Sequence, residues 1–285
     1  MVDINKLANL AAEKGPDQTQ AVKGGGGKIE VPEAGPVRLR LISYIEIGKH
    51  EKKYKDETKT VEQVMLQFEL HGPKHPAKNE ETGRDKPLTI WITENLSMNE
   101  KANYFKLFNR LNQGVGAKHM AQLVGKDFLG TIVHKVVGEG DNKRTYANLR
   151  NADGYTIRPP FVEQLNEESG EIERKRVPVP EPIHPLQIFL WDFADKEQWD
   201  SIFIDGHWPD KKDDDGNVVE AGKSKNWLQQ RIRAAVNFKG SPADQAAGGA
   251  DELDLGGVTE PERSDTPEKP KQSDTGTDPL DDIPF

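Results

Sequence analysis

The 285-residue chain contains no cysteine, which excludes disulfides, thiol catalysis and cysteine-ligated zinc sites. It also lacks any run approaching the ~20 apolar residues needed to cross a bilayer. The first 15 residues, MVDINKLANLAAEKG, have no apolar core of the kind found in signal peptides. These absences lead us to expect a cytoplasmic protein.

Apolar residues are scarce as well, at 34% of the chain with a mean hydropathy of −0.78. Part of the chain is therefore expected to remain unpacked. Residues 241–285 hold 12 acidic and three basic side chains, which accounts for the whole net charge of −9. Residues 1–160 carry an excess of basic side chains. A basic body and an acidic end favour a polyanion partner for the first and a protein partner for the second.

Five segments have the alternation or the β-branched content of strands: 37–48, 61–72, 86–96, 128–138 and 144–157. Apolar residues recur every three positions from 102 to 111, after a capping-box spacing of Ser97 and Glu100, and predict a helix. A second short helix is predicted around 119–124. Five strands with a helix between the third and fourth predict a mainly β, OB-fold-like barrel.

The same pattern predicts four regions. Residues 1–28 form an N-terminal helix or arm with a glycine linker, and 29–160 form the OB-like core. Residues 161–240 form an extension with α and β elements packed on that core, in which Asp195 and Ser224 are predicted helix caps. Residues 241–285 are rich in Gly, Pro, Ser, Thr and acidic residues, and are predicted to be a disordered acidic tail.

No enzyme motif is present. The stretch KDDDGN at 212–217 fails the calcium-loop pattern at both ends. His71 and His75 have the i, i+4 spacing of a metal pair, but Gly and Pro in HGPKH prevent a helix there. We therefore expect a protein that is not an enzyme and carries no metal or cofactor.

Cations for phosphates and aromatic faces for unpaired bases are present. The candidates for binding single-stranded DNA are Arg38, Arg40, Lys49, Lys52, Lys53, Tyr54, Lys55, Lys59, Trp91, Lys143, Arg144, Tyr146, Arg150, Tyr155 and Arg158. Residues 49–60 read as an exposed basic loop around Tyr54, which could equally be an ordinary surface loop. Trp91 could lie on an open sheet face or pack beneath the later helices. Arg38 and Arg40 alternate along the first strand and share a face.

The chain ends in DPLDDIPF, an acidic run with an apolar tip. With the basic OB-like body and the acidic linker, this tip resembles the single-stranded DNA-binding proteins of bacteria and their phages. The longer body looks more like a phage-encoded member, which would act in the cytoplasm of a bacterial host. The resemblance implies a protein that coats single-stranded DNA during replication, recombination and repair. It also implies that Asp281, Asp282, Ile283, Pro284 and Phe285 dock onto polymerase, helicase-primase or nuclease partners.

Three other functions stay open. A strand-annealing recombination protein or mediator would act in the same process. A metal-dependent nuclease could use the plentiful carboxylates. A DNA-mimic decoy would bind enzymes through its acidic residues alone, without binding DNA. The sequence leaves the oligomeric state open.

Overall fold

The computed structural model describes residues 30–54, 57–80, 82–138, 143–166, 170–212 and 218–249. The chain divides into two units, of which the larger comprises 30–207 and 224–285. The described part is mainly β with antiparallel sheets, which confirms the coarse fold class predicted from the sequence.

The main sheet of the larger unit contains five antiparallel strands. They are β1 (Gly35–Tyr54), β2 (Glu57–His71), β3 (Thr89–Asn95), β4 (Asp127–Val137) and β5 (Arg144–Asn148), in the spatial order β3-β2-β1-β4-β5. The central strand β1 pairs with β2 on one edge and, over residues 35–40, with β4 on the other. Alternating apolar residues place one face of these strands in a core, as their period of two requires.

Helix α1 (Asn103–Leu111) and a 3₁₀ turn (Met120–Leu123) cover this inner face. With them, leucine, isoleucine and valine side chains of β1 to β4 form the first core, together with Tyr44, Phe68 and Phe128. The predicted Ser97–Glu100 capping box is wrong. Helix α1 begins instead after Ala102, which makes no side-chain cap. Ser97 Oγ accepts a hydrogen bond from the Asn99 N–H, outside the helix.

Shorter strands follow β5. β6 (Arg150–Asn151) pairs with β7 (Gly154–Tyr155), and β8 (Phe161–Leu165) forms a hairpin with β9 (Ile172–Arg176). The chain then crosses the sheet and adds β10 (Gln187–Phe189), which runs parallel to β1 at Ser43–Ile45. β10 therefore occupies the edge of β1 beyond the point where β4 stops pairing.

A second core lies on the opposite face of β1 and β2. It is covered by a 3₁₀ turn (Trp191–Phe193), α2 (Lys196–Ser201), α3 (Trp227–Arg233) and α4 (Pro242–Ala246). Asp195 caps α2 as predicted, since its side chain accepts from the Gln198 N–H. The predicted cap of α3 is displaced: Asn226 occupies that position, and Ser224 Oγ accepts from the Asn226 N–H.

Two further predictions need correction. Residues 49–60 are not a loop, because β1 and β2 continue as a two-stranded ribbon to Tyr54 and from Glu57. The acidic tail does not begin at 241, because α4 is capped by Ser241 and buries Ala243 and Ala246 in the second core. The predicted arm at 1–28 and the tail from residue 250 lie outside the described residues.

The smaller unit comprises 1–29 and 208–223. Its described part contains a short antiparallel pair, β11 (Lys211–Lys212) and β12 (Val218–Glu220). None of the helices in the described part of the chain has the length and apolar character that a bilayer crossing requires.

Candidate nucleic-acid interface

We call the sheet face opposite the first core the outer face. Over β1, β2 and β3 this face is covered, because Ile45, Met65 and Trp91 contact the second core. The Trp91 and Trp227 rings meet edge to face, with centroids 5.3 Å apart. Of the two interpretations left open for Trp91, packing beneath the later helices is the one the structure supports. Trp91 is therefore not placed to stack on a base.

Arg38 and Arg40 lie on the outer face, as their alternation predicts, but their surroundings differ. Arg40 is buried and donates to the carbonyl oxygens of Pro180 at 2.7 Å, Gly125 at 2.8 Å and Val179 at 2.9 Å. It also pairs with Glu181. The prediction that Arg40 binds DNA is corrected on this ground, because a buried guanidinium with its donors in use cannot reach a phosphate. Arg38 is half-exposed and has no such partner among the described residues.

The β1–β2 ribbon carries the predicted lysines of 49–59. Lys49 Nζ lies 3.5 Å from Glu62 Oε1, and Lys59 Nζ lies 3.0 Å from Glu57 Oε2. Lys52 stands directly opposite Lys59 across the ribbon, and Lys53, the next residue of β1, is exposed. Such exposed ion pairs contribute little to stability and exchange readily for other anions. Lys55 and the side chain of Tyr54 lie outside the described residues.

The β4–β5 hairpin presents the best-formed combination of cations and an aromatic ring. Lys135 is paired directly with Tyr146, and Val137 with Arg144, so these four side chains share one face. That face is the outer one, because Ala147, the neighbour of Tyr146, packs against the first core. Lys135 and Arg144 are exposed and Tyr146 is half-exposed. The exposed Lys143 precedes the strand.

Arg150 and Tyr155 serve a different purpose. The Tyr155 hydroxyl donates to Glu94 Oε1 on β3 at 2.6 Å, and Arg150 lies 3.5 Å from the same oxygen. The Arg150 guanidinium also sits 5.6 Å from the centre of the Tyr155 ring. Burial and the nearby Glu94 carboxylate raise the pKa of Tyr155 above its ordinary value. These two predicted site residues thus bridge the open side of the sheet, between β3 and the chain after β5.

Arg158 lies beside residues that sequence reasoning missed. With Phe161, Arg174 and other side chains it lines a cavity of about 270 Å³. The Arg174 guanidinium is 4.9 Å from the centre of the Phe161 ring, and Arg158 donates to the Phe161 carbonyl at 2.6 Å. Phe161 and Arg174 are 13 positions apart in the sequence, in a region that reads as proline-rich and charged. Only the β8–β9 pairing brings them together.

A larger cavity, of about 370 Å³, lies at the end of β2. Arg38, His71 and His75 line it together with prolines and Ile183. The two histidines of HGPKH were noted in the sequence, but they were set aside because Gly and Pro prevent a helix there. A tight turn brings them together instead. Within the described ranges, no group of three or more His, Asp or Glu side chains is arranged to hold a metal ion.

The predicted partner-binding residues Asp281 to Phe285 lie outside the described residues, so their role remains a prediction. No protein-family model matches the chain, and no curated protein or solved structure is significantly similar to it. The functional argument therefore depends on the residues and their geometry.

Proposed function

We propose that the protein binds single-stranded DNA with little sequence preference, through the outer face of the β4–β5 hairpin. The observation that carries this proposal is the placement of the partly exposed Tyr146 directly opposite the exposed Lys135, two positions from the exposed Arg144, on the outer face. An aromatic ring flanked by cations can stack on an unpaired base while the cations meet the adjoining phosphates. Every base has a π-face, so such stacking tolerates any sequence.

Charge supports the same surface. Lys143 extends the row of cations at the start of β5, and the half-exposed Arg38 adds a cation on the outer face of β1. The lysines of the β1–β2 ribbon offer a second basic segment at the other end of β1. Binding through phosphate contacts releases counterions, so the affinity should fall steeply as salt rises.

The order of the strands and helix also supports the proposal. Five antiparallel strands with α1 between β3 and β4 have the element order of an OB-fold, a partly open barrel. The sheet is open between β3 and β5, and the contacts of Glu94 with Tyr155 and Arg150 span that opening. OB-folds commonly bind oligonucleotides on the face of strands 2 and 3. Here the second core covers that face, which is why we place binding on β4 and β5.

We further propose that the tip Asp281–Phe285 recruits replication and recombination proteins. An acidic run followed by Ile283, Pro284 and Phe285 suits a basic rim around an apolar pocket on a partner. In this reading the chain is a binding protein rather than an enzyme. Incubating labelled DNA with the protein and Mg²⁺ or Mn²⁺ tests the latter point, since cleavage would contradict it.

The decisive measurement is fluorescence anisotropy of labelled oligo-dT and of matched duplex DNA across a salt series. Replacing Tyr146 by Ala should weaken binding about 5- to 150-fold, the equivalent of about 1–3 kcal/mol for one stacked base. Tyr146→Phe keeps the ring and should bind nearly as well as the unaltered protein. Phe193→Ala is the matched control, because Phe193 is 75% exposed but lies on the extension.

A preference for duplex DNA, or no binding to oligo-dT, would refute the proposed function. Equal losses for Tyr146→Ala and Phe193→Ala would refute the assignment to the β4–β5 hairpin. A truncation used to remove the acidic tail should end at residue 249, because α4 belongs to the second core.

A further inference from the structure

The cavity at the end of β2 is formed by a tight turn. His71 ends β2, Gly72 adopts a φ of 130°, and the His75 N–H donates to the Gly72 carbonyl at 3.0 Å. A φ in this range favours glycine. The turn folds the chain back so that His71 and His75, four residues apart, line the same cavity.

The walls of the cavity are mostly apolar. Its lining includes Pro73, Pro76 and Pro180, together with Ala77 and Ile183, and Ile183 is 52% exposed. The volume of about 370 Å³ lies near the lower end of the ~300–1,000 Å³ that is usual for small-molecule sites. Proline rings and an isoleucine offer an apolar surface against which a planar base packs.

The polar groups of the cavity favour an anionic ligand. Arg38 is half-exposed and makes no hydrogen bond or ion pair with another described residue, and no Asp or Glu lines the cavity. The nearest buried carboxylate, Glu69, lies 2.8 Å from His71 Nε2 but accepts hydrogen bonds from the backbone N–H groups of Ile183 and His184. The Arg38 guanidinium is thus positioned for a phosphate, which it can bind in bidentate fashion.

Burial disfavours the charged form of both imidazoles. Burial lowers the pKa of His75, and it also lowers the pKa of His71 despite the opposing charge of Glu69. Both ring nitrogens of His75 lack a hydrogen-bond partner among the described residues, although the side chain is only 2% exposed. A buried polar atom without a hydrogen-bond partner is destabilising. A small shift of the turn that brings a ligand's polar edge to His75 would recover part of that cost.

The cavity lies on the same face of the sheet as the proposed DNA-binding hairpin. Arg38 pairs across the sheet with Leu129 on β4, and Leu129 forms a β-bridge with Arg158. Directly opposed residues share a face, so Arg38 and Arg158 lie on the outer face about 10 Å apart, two strand spacings. The same face of β4 leads, six residues beyond Leu129, to Lys135 and its partner Tyr146.

We infer that this cavity binds one nucleotide of the single strand, with the base against the prolines and Ile183 and the phosphate at Arg38. The inference rests on the proposed function and adds a defined subsite to it. A strand held at Tyr146 and at this cavity would cross β4 and β1 rather than follow β2 and β3.

The test is NMR of the imidazole C–H signals of the full chain, titrated with oligo-dT and separately with thymidine monophosphate. At saturation with oligo-dT, the His71 and His75 signals should shift. The signals of His50 should stay in place, because that ring is buried elsewhere and bonded to the Ile47 carbonyl. Arg38→Ala is the main variant, since the partly exposed Arg38 can be removed without unfolding the chain.

Arg38→Ala should lower affinity for oligo-dT at least fivefold and abolish the His75 shift. Tyr146→Ala should lower affinity but, at saturating DNA, leave the His75 shift intact. Oligo-dT binding with unchanged His71 and His75 signals would overturn the subsite and leave the proposed function standing. Absence of oligo-dT binding would overturn both. Shifts with the monophosphate but not with oligo-dT would make the cavity a free-nucleotide site and overturn the inference.

Discussion

Arg38 and Arg40 offer a direct test, because sequence pattern treats them alike and the structure separates them. Replacing Arg40 by Ala removes the donor of three hydrogen bonds to carbonyl oxygens of residues 125, 179 and 180. Bonds from a charged donor contribute about 1.5–3 kcal/mol each. They are not additive, but each buried carbonyl oxygen left without a donor costs about 1–3 kcal/mol. The contact with Glu181 adds little, because the Glu181 side chain is 86% exposed.

We therefore expect Arg40→Ala to lower the free energy of unfolding by about 4 kcal/mol and the Tm by about 10 °C. Chemical denaturation followed by tryptophan fluorescence measures the first, and a thermal melt measures the second. Arg38→Ala should change stability by less than about 0.5 kcal/mol, since Arg38 makes no hydrogen bond or ion pair with another described residue. Arg40→Lys keeps the charge but not the planar fork, so it should fall between these two.

Affinity for oligo-dT should show the opposite order. Arg38→Ala should weaken binding, and the folded fraction of Arg40→Lys should bind like the unaltered protein. Equal and small stability losses for Arg38→Ala and Arg40→Ala would refute the reasoning, because Arg40 would then not hold residues 179–181 in place.

Three further outcomes are expected. A chain ending at 240 should be about 2 kcal/mol less stable than one ending at 249 by urea denaturation, because it loses the buried methyl groups of Ala243 and Ala246; equal midpoints would remove α4 from the second core. Gly48→Ala should lower the free energy of unfolding by about 3 kcal/mol in the same assay, since Gly48 has a φ of +81° and the added methyl group would collide with the Trp191 ring. A variant of unaltered stability would contradict that packing. Burial alone raises the pKa of Glu69, but the N–H groups and side chain of residues 183 and 184 outweigh it and hold the pKa below its ordinary value. The stabilisation that the Glu69 carboxylate provides should therefore be complete above pH ~4.5 and be lost as pH falls through its folded pKa. Unfolding curves from pH 6 to 3 should show a smaller loss of stability for Glu69→Gln than for the unaltered protein.

The sequence predicted the first four main strands and α1 because their side chains alternate between a core and another surface. The fifth strand was predicted too long: β5 ends at Asn148, and the rest of 144–157 forms the short pair β6–β7. It missed the ribbon at 49–60, where charged residues on both strands hide the pairing that the backbone makes. It also missed α4, whose sequence PADQA has only small apolar residues and resembles a linker. Alanine nevertheless fills a tight position beside large aromatic rings.

The candidate site was predicted in part. Lys143, Arg144 and Tyr146 fall on one exposed hairpin, as the mixed basic and aromatic pattern indicated. The fate of Arg40 could not be predicted, because its partners at 179–181 are about 140 residues away in the chain. Trp91 is a similar case, since only the distant Trp227 decides whether it is available. The local sequence pattern predicts which face of the sheet a residue lies on. It does not predict which residues, distant in the sequence, cover that face.

The parallel pairing of β10 with β1 has a consequence for synthesis of the chain. Ser43 and Gln187 are hydrogen-bonded across 144 residues, and most of the described side chains that pack with Ile45 and Met65 in the second core come from 189 onwards. At about 5–20 residues per second, a ribosome needs on the order of 10 s to make that cover. During this interval a hydrophobic strand face is exposed on the nascent chain. Contacts of such long sequence separation also slow folding. The second core must therefore close late, after the β1–β4 half of the protein has already formed.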